Sequence, residues 1–423
     1  MTDSADDREA WHRNFRAVWP SLFATSLGLM AFLPMLPLYI QERFAIADER
    51  ELAHWAAAIF GVAPLTAAIA GPIWGALGDR VGKKPMAIRA NLAIAIATGL
   101  MPLAPSPLWL LVMRILQGAF AGFIAPSMAL ASHGAPRELH GTIIARLQVA
   151  MAVGTFLGPF LGAELSHHGG RASVFWMTSL MTALAAARLA ITARDAPPAP
   201  PDGRSFLGGM AQSSRDLLQN RVFRWLLVLV VVMRLGQNMA EPFVALVVRG
   251  FGPASWIGHF SATPELALDR TVGVAFGMMA VAQWFFTPVW GRMADRRGPL
   301  RCLAYLCAML GAILATMAMV TSIDAFLALR ALAAAVMAGS MTLAFAATSK
   351  RVAEARRTLA FSMVQSCMQL GYAFGSQLGA LVATAFVDGP PDFRLLFLTA
   401  AACCLLAATG MFMLRRLPAG GDG

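Results

Sequence analysis

Twelve continuous apolar runs constrain this chain more than any other feature. They fall at residues 17–40, 54–77, 86–104, 107–131, 142–165 and 172–193, then at 225–248, 272–294, 300–320, 323–347, 359–387 and 395–414. A helix needs about 20 apolar residues to cross a bilayer, and inside the bilayer every backbone polar group must be satisfied within the segment. The runs are continuous, not alternating, which argues against a β-barrel. With 58% hydrophobic and 13% charged residues and a mean hydropathy of +0.62, there is too little charge to cover a soluble surface. The expected fold is therefore all-α, with twelve membrane-spanning helices. Residues 1–16 form a polar tail that lacks the apolar core of a signal peptide. The first six spans occupy 17–193 and the second six occupy 225–414. Between them, 194–224 begins RDAPPAPPDGR, a linker too rich in proline and charge to span, with a possible short interfacial helix in its second half. Residues 415–423 form a second tail.

The net charge of +11 does not point to nucleic acid, because the basic residues are scattered over short loops. With the N-terminus in the cytoplasm, 23 Lys and Arg lie on the cytoplasmic side and six on the other. That bias places both termini and the linker in the cytoplasm of a multi-pass inner-membrane protein. The five cysteines lie in or beside apolar runs with no metal-ligand spacing to histidine, so no metal is expected.

The two halves repeat. Gly75-Ala-Leu-Gly-Asp79-Arg80-Val-Gly82-Lys83-Lys84 returns as Gly291-Arg-Met-Ala-Asp295-Arg296-Arg-Gly298, an offset of 216. Arg114 maps to Arg330 at the same offset. Gln148 and the series Gly154, Gly158, Gly162 map to Gln365 and Gly371, Gly375, Gly379 at 217, and Gly28 and Pro34 map to Gly236 and Pro242 at 208. Internal repeats of this kind are a hallmark of secondary transporters.

These motifs carry a resemblance. Over nearly its whole length the chain resembles the major facilitator superfamily, with Gly75–Lys84 matching the loop motif between its second and third spans. Gly28, Pro34 and Pro37 in the first span, and Gly154, Gly158, Pro159 and Gly162 in the fifth, resemble the twelve-span drug:proton antiporter branch. Ala163 stands where that branch usually has glycine. The resemblance implies two pseudo-symmetric six-helix halves and export of drugs or of a metabolite such as a siderophore. It also implies a role in proton transfer for the fourth-span Arg114.

Several residues carry candidate chemistry. Asp79 and Arg80, and their repeats Asp295 and Arg296, read as a cytoplasmic gate latch or as plain topology signals. As a latch, Asp79 would sit at a helix N-terminus or pair with a cationic loop residue. The fifth-span glycines lie on one helix face and allow close backbone approach, while Pro159 can kink the helix. Their role is a hinge or small-residue packing. Of 23 acidic residues only Glu164 and Glu241 lie within apolar runs beyond their first two residues, Asp324 standing at the very start of its run. Glu164 is near a span end. Glu241 is near mid-span, where an ionised carboxylate is costly and such groups mark ion pathways. It fits a proton carrier, a static Glu–Arg pair or a contact to a cationic substrate. Arg234 lies seven residues earlier, on the same face of a continuous helix about 10.5 Å away, and Arg114 or Arg234 is expected to tune Glu241. Alternatively, Arg114 snorkels to the interface.

Gln117, Gln148, Gln237, Asn238, Gln283, Gln365, Gln369, Tyr372 and Phe32 are the candidate substrate-cavity residues. No G-x-x-x-x-G-K-[ST] loop appears, so the expected energy source is the proton gradient, with no cofactor. No nucleophile–base–acid set is visible, which argues against an enzyme. The expected partners are a small-molecule substrate and the lipid bilayer, for a chain acting as a monomer. Two rivals remain: a proton-coupled nutrient importer and a non-transporting membrane receptor.

Overall fold

The computed structural model describes residues 5–120, 122–136, 139–195, 215–352, 357–385 and 390–416, and among them regular structure is entirely helical. The first half contains α1 (Ala5–Phe32), α2 (Leu36–Phe44), α3 (Glu49–Val81), α4 (Lys83–Leu100), α5 (Pro107–Ala119), α6 (Ile124–Ser132), α7 (His140–Gly169) and α8 (Arg171–Thr192). The second contains α9 (Arg221–Asn238), α10 (Val244–Phe251), the short α11 (Ser255–Gly258), α12 (Pro264–Arg297), α13 (Pro299–Met317), α14 (Ile323–Met337), α15 (Ser340–Ser349), α16 (Arg357–Ala385) and α17 (Phe393–Arg416).

Among the described residues, eleven segments are long and apolar enough to cross a membrane. The eleventh expected span, α16, is 29 residues long but carries Gln365, Gln369, Tyr372 and several serines and glycines, which dilute its hydropathy. With it the two six-span halves are complete. Residues 5–16, expected to be a polar tail, are helical and continuous with the first span. In the linker, residues 215–219 are helical and 196–214 lie outside the described residues.

The repeat is visible in where the helices break. The first span of each half stops shortly before its proline. Thus α1 ends at Phe32 ahead of Pro34, and α9 ends at Asn238 ahead of a 3-10 turn, Glu241–Phe243, that contains Pro242. Proline lacks the amide that would continue the ladder. The fourth span of each half also breaks, between α5 and α6 and between α14 and α15.

Packing divides the chain into two compact units that do not coincide with the sequence halves. One holds the described residues of Met1–Tyr39, Ile69–Asp202 and Trp256–Ala280; the other holds those of Ile40–Ala68, Gly203–Ser255 and Val281–Gly423. The boundary cuts α3 and α12, the 33- and 34-residue helices. At about 50 Å each by helix rise, they are long enough for their two ends to belong to different cores.

The glycine stripes set the packing inside each unit. A Cβ added at Gly154 or Gly158 of α7 would stand 2.6 Å from the carbonyl oxygens of Phe23 and Leu27 on α1. In the second unit a Cβ at Gly375 of α16 would stand 2.6 Å from the carbonyl of Leu235 on α9, and one at Gly371 would stand 2.6 Å from Arg234 Cβ. Only glycine admits a backbone this close. Pro159 does not break α7; its carbonyl faces Gly273 of α12 in the same unit.

Candidate functional site

Each unit places one mid-span arginine of the repeat in a buried polar cluster. In the first unit, Arg114 on α5 donates to Gln117 Oε1 at 2.5 Å, and Gln117 Nε2 donates to Thr98 Oγ1 on α4 at 3.0 Å. All three residues are buried. Burial at this depth is against a snorkelling role for Arg114.

In the second unit, Arg330 on α14 donates from Nη2 to Glu241 Oε2 at 2.9 Å, and both side chains are 8% exposed. Sequence spacing alone points to Arg114 or Arg234 as the group that tunes Glu241. The structure replaces that expectation with Arg330. The helix breaks after Asn238, so the seven-residue register between Arg234 and Glu241 is lost, and Glu241 turns toward α14. Arg234 donates from Nη1 to Gln237 Oε1 at 3.1 Å, Gln237 Nε2 donates to Ser340 Oγ at 2.8 Å, and Asn238 Nδ2 donates to the Arg234 carbonyl at 2.7 Å. Glu241 and Tyr372 stand within electrostatic reach of the Arg234 guanidinium.

Buried ion pairs are expensive to desolvate and strongly destabilising to break. The Glu241–Arg330 pair thus ties the 3-10 turn at the helix break to α14.

Glu164 is not part of either cluster. Near the end of α7, it accepts from Arg270 Nε on α12 at 2.5 Å, with 40% of its own side chain exposed. Beside it, Arg171 at the start of α8 pairs with the buried Asp269 of α12 at 3.0 Å. In the other unit, Arg249 at the end of α10 pairs with Glu49 at the start of α3 at 3.0 Å and also contacts Gln41. Each of these pairs joins a helix of the first repeat to a helix of the second. Sequence reasoning missed Asp269, Arg270, Arg249 and Glu49, because they stand at span ends where charge is unremarkable.

At the loop motif, Asp79 falls in the last turn of α3, not at a helix N-terminus. The carboxylate at the start of α4 belongs to Asp195, which accepts from the backbone N–H of Lys83 and Lys84, each at 3.1 Å. Gly82 has φ +108°, and a Cβ there would run into the Asp195 carboxylate. The side chains of Asp79 and Arg80 lie outside the described residues, and Gly75 is within α3. In the second repeat, Asp295 and Arg296 are exposed in the last turn of α12.

The polar cavity candidates are split. Gln117, Gln237 and Asn238 are buried in the arginine clusters, Gln369 and Tyr372 are half-buried, and Gln148, Gln283 and Gln365 are exposed. Phe32 is not a cavity residue. It is fully buried where α1 meets α8, with its ring 5.2 Å from that of Phe175; an apolar ring gains more from this contact than from an opening.

Many apolar spans, a six-plus-six repeat and arginines buried in mid-span define the class as a multi-pass membrane carrier. The family model of the Major Facilitator Superfamily matches residues 18–268 and 255–422, and the chain belongs to that family. It is 27% identical over 396 residues to the multidrug resistance protein MdtG of Proteus mirabilis, covering 93% of both chains. It is also 35% identical over 179 residues to the staphyloferrin B transporter of Staphylococcus aureus, covering 42% of this chain and 41% of the relative. Among solved structures it is similar to the nucleoside transporter NupG. There the TM-score is 0.75 at 12% identity, covering 96% of this chain and 100% of the other.

Proposed function

We propose that this chain exports a small organic solute in exchange for protons, by rocker-switch alternating access. The buried Glu241–Arg330 pair at the break of the seventh span is the observation that carries the reading. Glu241 takes up the proton and Arg330 positions it. In the ionised form the pair ties the 3-10 turn to α14; in the protonated form that tie is loosened, and the break supplies the hinge. Arg114, hydrogen-bonded to Gln117, which in turn meets Thr98, holds the equivalent place and serves as the fixed counterpart.

The relatives support the kind of cargo: one is named for multidrug resistance and one for staphyloferrin B transport. Export of a drug or a siderophore-like metabolite is the direction that the first- and fifth-span motifs imply. The positive-inside count supports an orientation with both termini in the cytoplasm, as in an inner-membrane protein. Asp79, Arg80 and their repeats then latch the cytoplasmic end. The pairs Arg171–Asp269, Glu164–Arg270 and Arg249–Glu49 lie at the opposite helix ends, and they must separate when the site opens outward. The protein works as a monomer, needs no cofactor beyond the proton gradient and performs no covalent chemistry.

The test is dissipation of a pH gradient in acid-loaded inside-out vesicles, challenged with drugs and with siderophore-type chelators. Substrate-dependent proton release from the vesicles is expected. A solute that moves inward down its own gradient with protons in the same direction would establish an importer instead. The absence of any solute-linked flux would leave a receptor.

A further inference from the structure

The second unit holds more buried positive charge than it neutralises. Arg234 and Arg330 stand near one carboxylate, Glu241, and Glu241 is committed to Arg330 at 2.9 Å. Of the five donors on the Arg234 guanidinium, Nη1 is used on Gln237, while Nε is shielded from solvent and has no hydrogen-bond partner among the described residues. The residue as a whole is half-buried. A desolvated cation is costly unless something of opposite charge meets it. Its planar fork matches an oxyanion better than any other ligand geometry.

The surroundings are built to hold that fork in place. Gln237 is itself fixed by Ser340, and Asn238 is tied back to the Arg234 carbonyl. Gly371 on α16 lets the neighbouring backbone approach until it touches the Arg234 side chain, which puts Tyr372 beside it. The result is a cation held by amide groups, whose nearby carboxylate, Glu241, is hydrogen-bonded to Arg330.

We propose that Arg234 is an anion subsite for the cargo, taking a carboxylate or similar oxyanion, with Gln237 and Tyr372 orienting it. The inference rests on the transport reading and narrows its substrate class. It separates the anion contact from the Glu241–Arg330 pair, so a carboxylate can bind without displacing the proton carrier. An anion leaving a negative interior also moves down the membrane potential, which favours export of such a cargo.

The test is equilibrium binding to the detergent-solubilised full chain, using benzoate against methyl benzoate and citrate against trimethyl citrate. At least one of the acids should bind ten-fold or more tightly than its ester. Arg234→Gln should erase that preference, and Arg234→Lys should keep part of it, since a lysine retains the charge without the fork. Equal binding of acid and ester, or a preference that survives Arg234→Gln, would overturn the proposal. If Arg234→Gln does not fold, the wild-type preference and its partial retention in Arg234→Lys decide the matter. Acid binding without any flux in vesicles would sink the exporter and leave the subsite. Proton-coupled flux of neutral solutes with no acid preference would sink the subsite alone.

Discussion

Arg114 and Arg330 occupy the same place in the two repeats and meet opposite surroundings. Arg114 donates to an amide, and behind it stands a threonine. Arg330 donates to a carboxylate. The difference comes from two positions: Leu33 precedes Pro34 whereas Glu241 precedes Pro242, and Gln117 is replaced by Ala333 at the repeat's offset of 216. Both spans break at that proline, so both present their preceding residue at a helix end. The scaffold is duplicated, but the titratable group is present in only one copy. On the proposed exchange mechanism, the second half carries the mid-span proton and the first stays fixed.

The largest way to break this comparison is to remove each arginine. Arg330→Met strands a buried carboxylate, and we expect a loss of about 3–5 kcal/mol. Arg114→Met strands the Gln117 amide and should cost about 1–3 kcal/mol. Unfolding of the two purified variants in detergent measures the gap, and equal losses would mean that Glu241 is not held as an ion. Adding Glu241→Gln to Arg330→Met should recover most of the stability but none of the proton-driven flux.

A second pair probes the glycine stripes. Gly158→Leu and Gly375→Leu each force a side chain into a facing backbone carbonyl, at a cost of about 1–3 kcal/mol. Similar shifts in the two variants would show that the repeats share their packing even where they differ in charge. A large inequality would confine the close approach to one half.

The helix-end pairs should matter less for stability. Glu164→Gln removes a partly exposed pair and is expected to change stability by about 1 kcal/mol or less. Its flux is the sharper readout: easier separation of α7 from α12 should raise turnover or leave it unchanged, and a complete loss of flux would return Glu164 to the proton pathway. Asp195→Ala should cost about 1 kcal/mol through the lost cap on α4, read as a lower melting temperature, and no change would mean the cap is solvated in the native chain.

Much of the architecture is legible in the sequence because a bilayer leaves few choices. Span positions follow from apolar length, the halves from repeated motifs, and the breaks from Pro34 and Pro242. The partner of Glu241 is not legible from spacing. A seven-residue register with Arg234 presumes an unbroken helix, and Pro242 removes the ladder that would keep residues seven apart on one face. The repeat itself holds the missing signal, since Arg330 is the copy of Arg114 and the second half has a single mid-span carboxylate for it to meet. Phe32 misleads for a related reason: an aromatic beside a break can face either an opening or a neighbouring helix, and Phe175 is distant in sequence. Asp195 gives no sequence signal because it lies in the linker, 112 residues from the Lys83 amide it caps. The compact units also differ from the sequence halves, because α3 and α12 are long enough to be shared.

The most direct test of the central claim compares wild type with Glu241→Gln in reconstituted vesicles, in two assays on the same preparation. One follows solute flux driven by a pH gradient; the other follows solute exchange at equal pH on both sides. The account predicts that Glu241→Gln loses gradient-driven flux by at least ten-fold and keeps exchange. Retention of gradient-driven flux in that variant would contradict it and move the proton to another group.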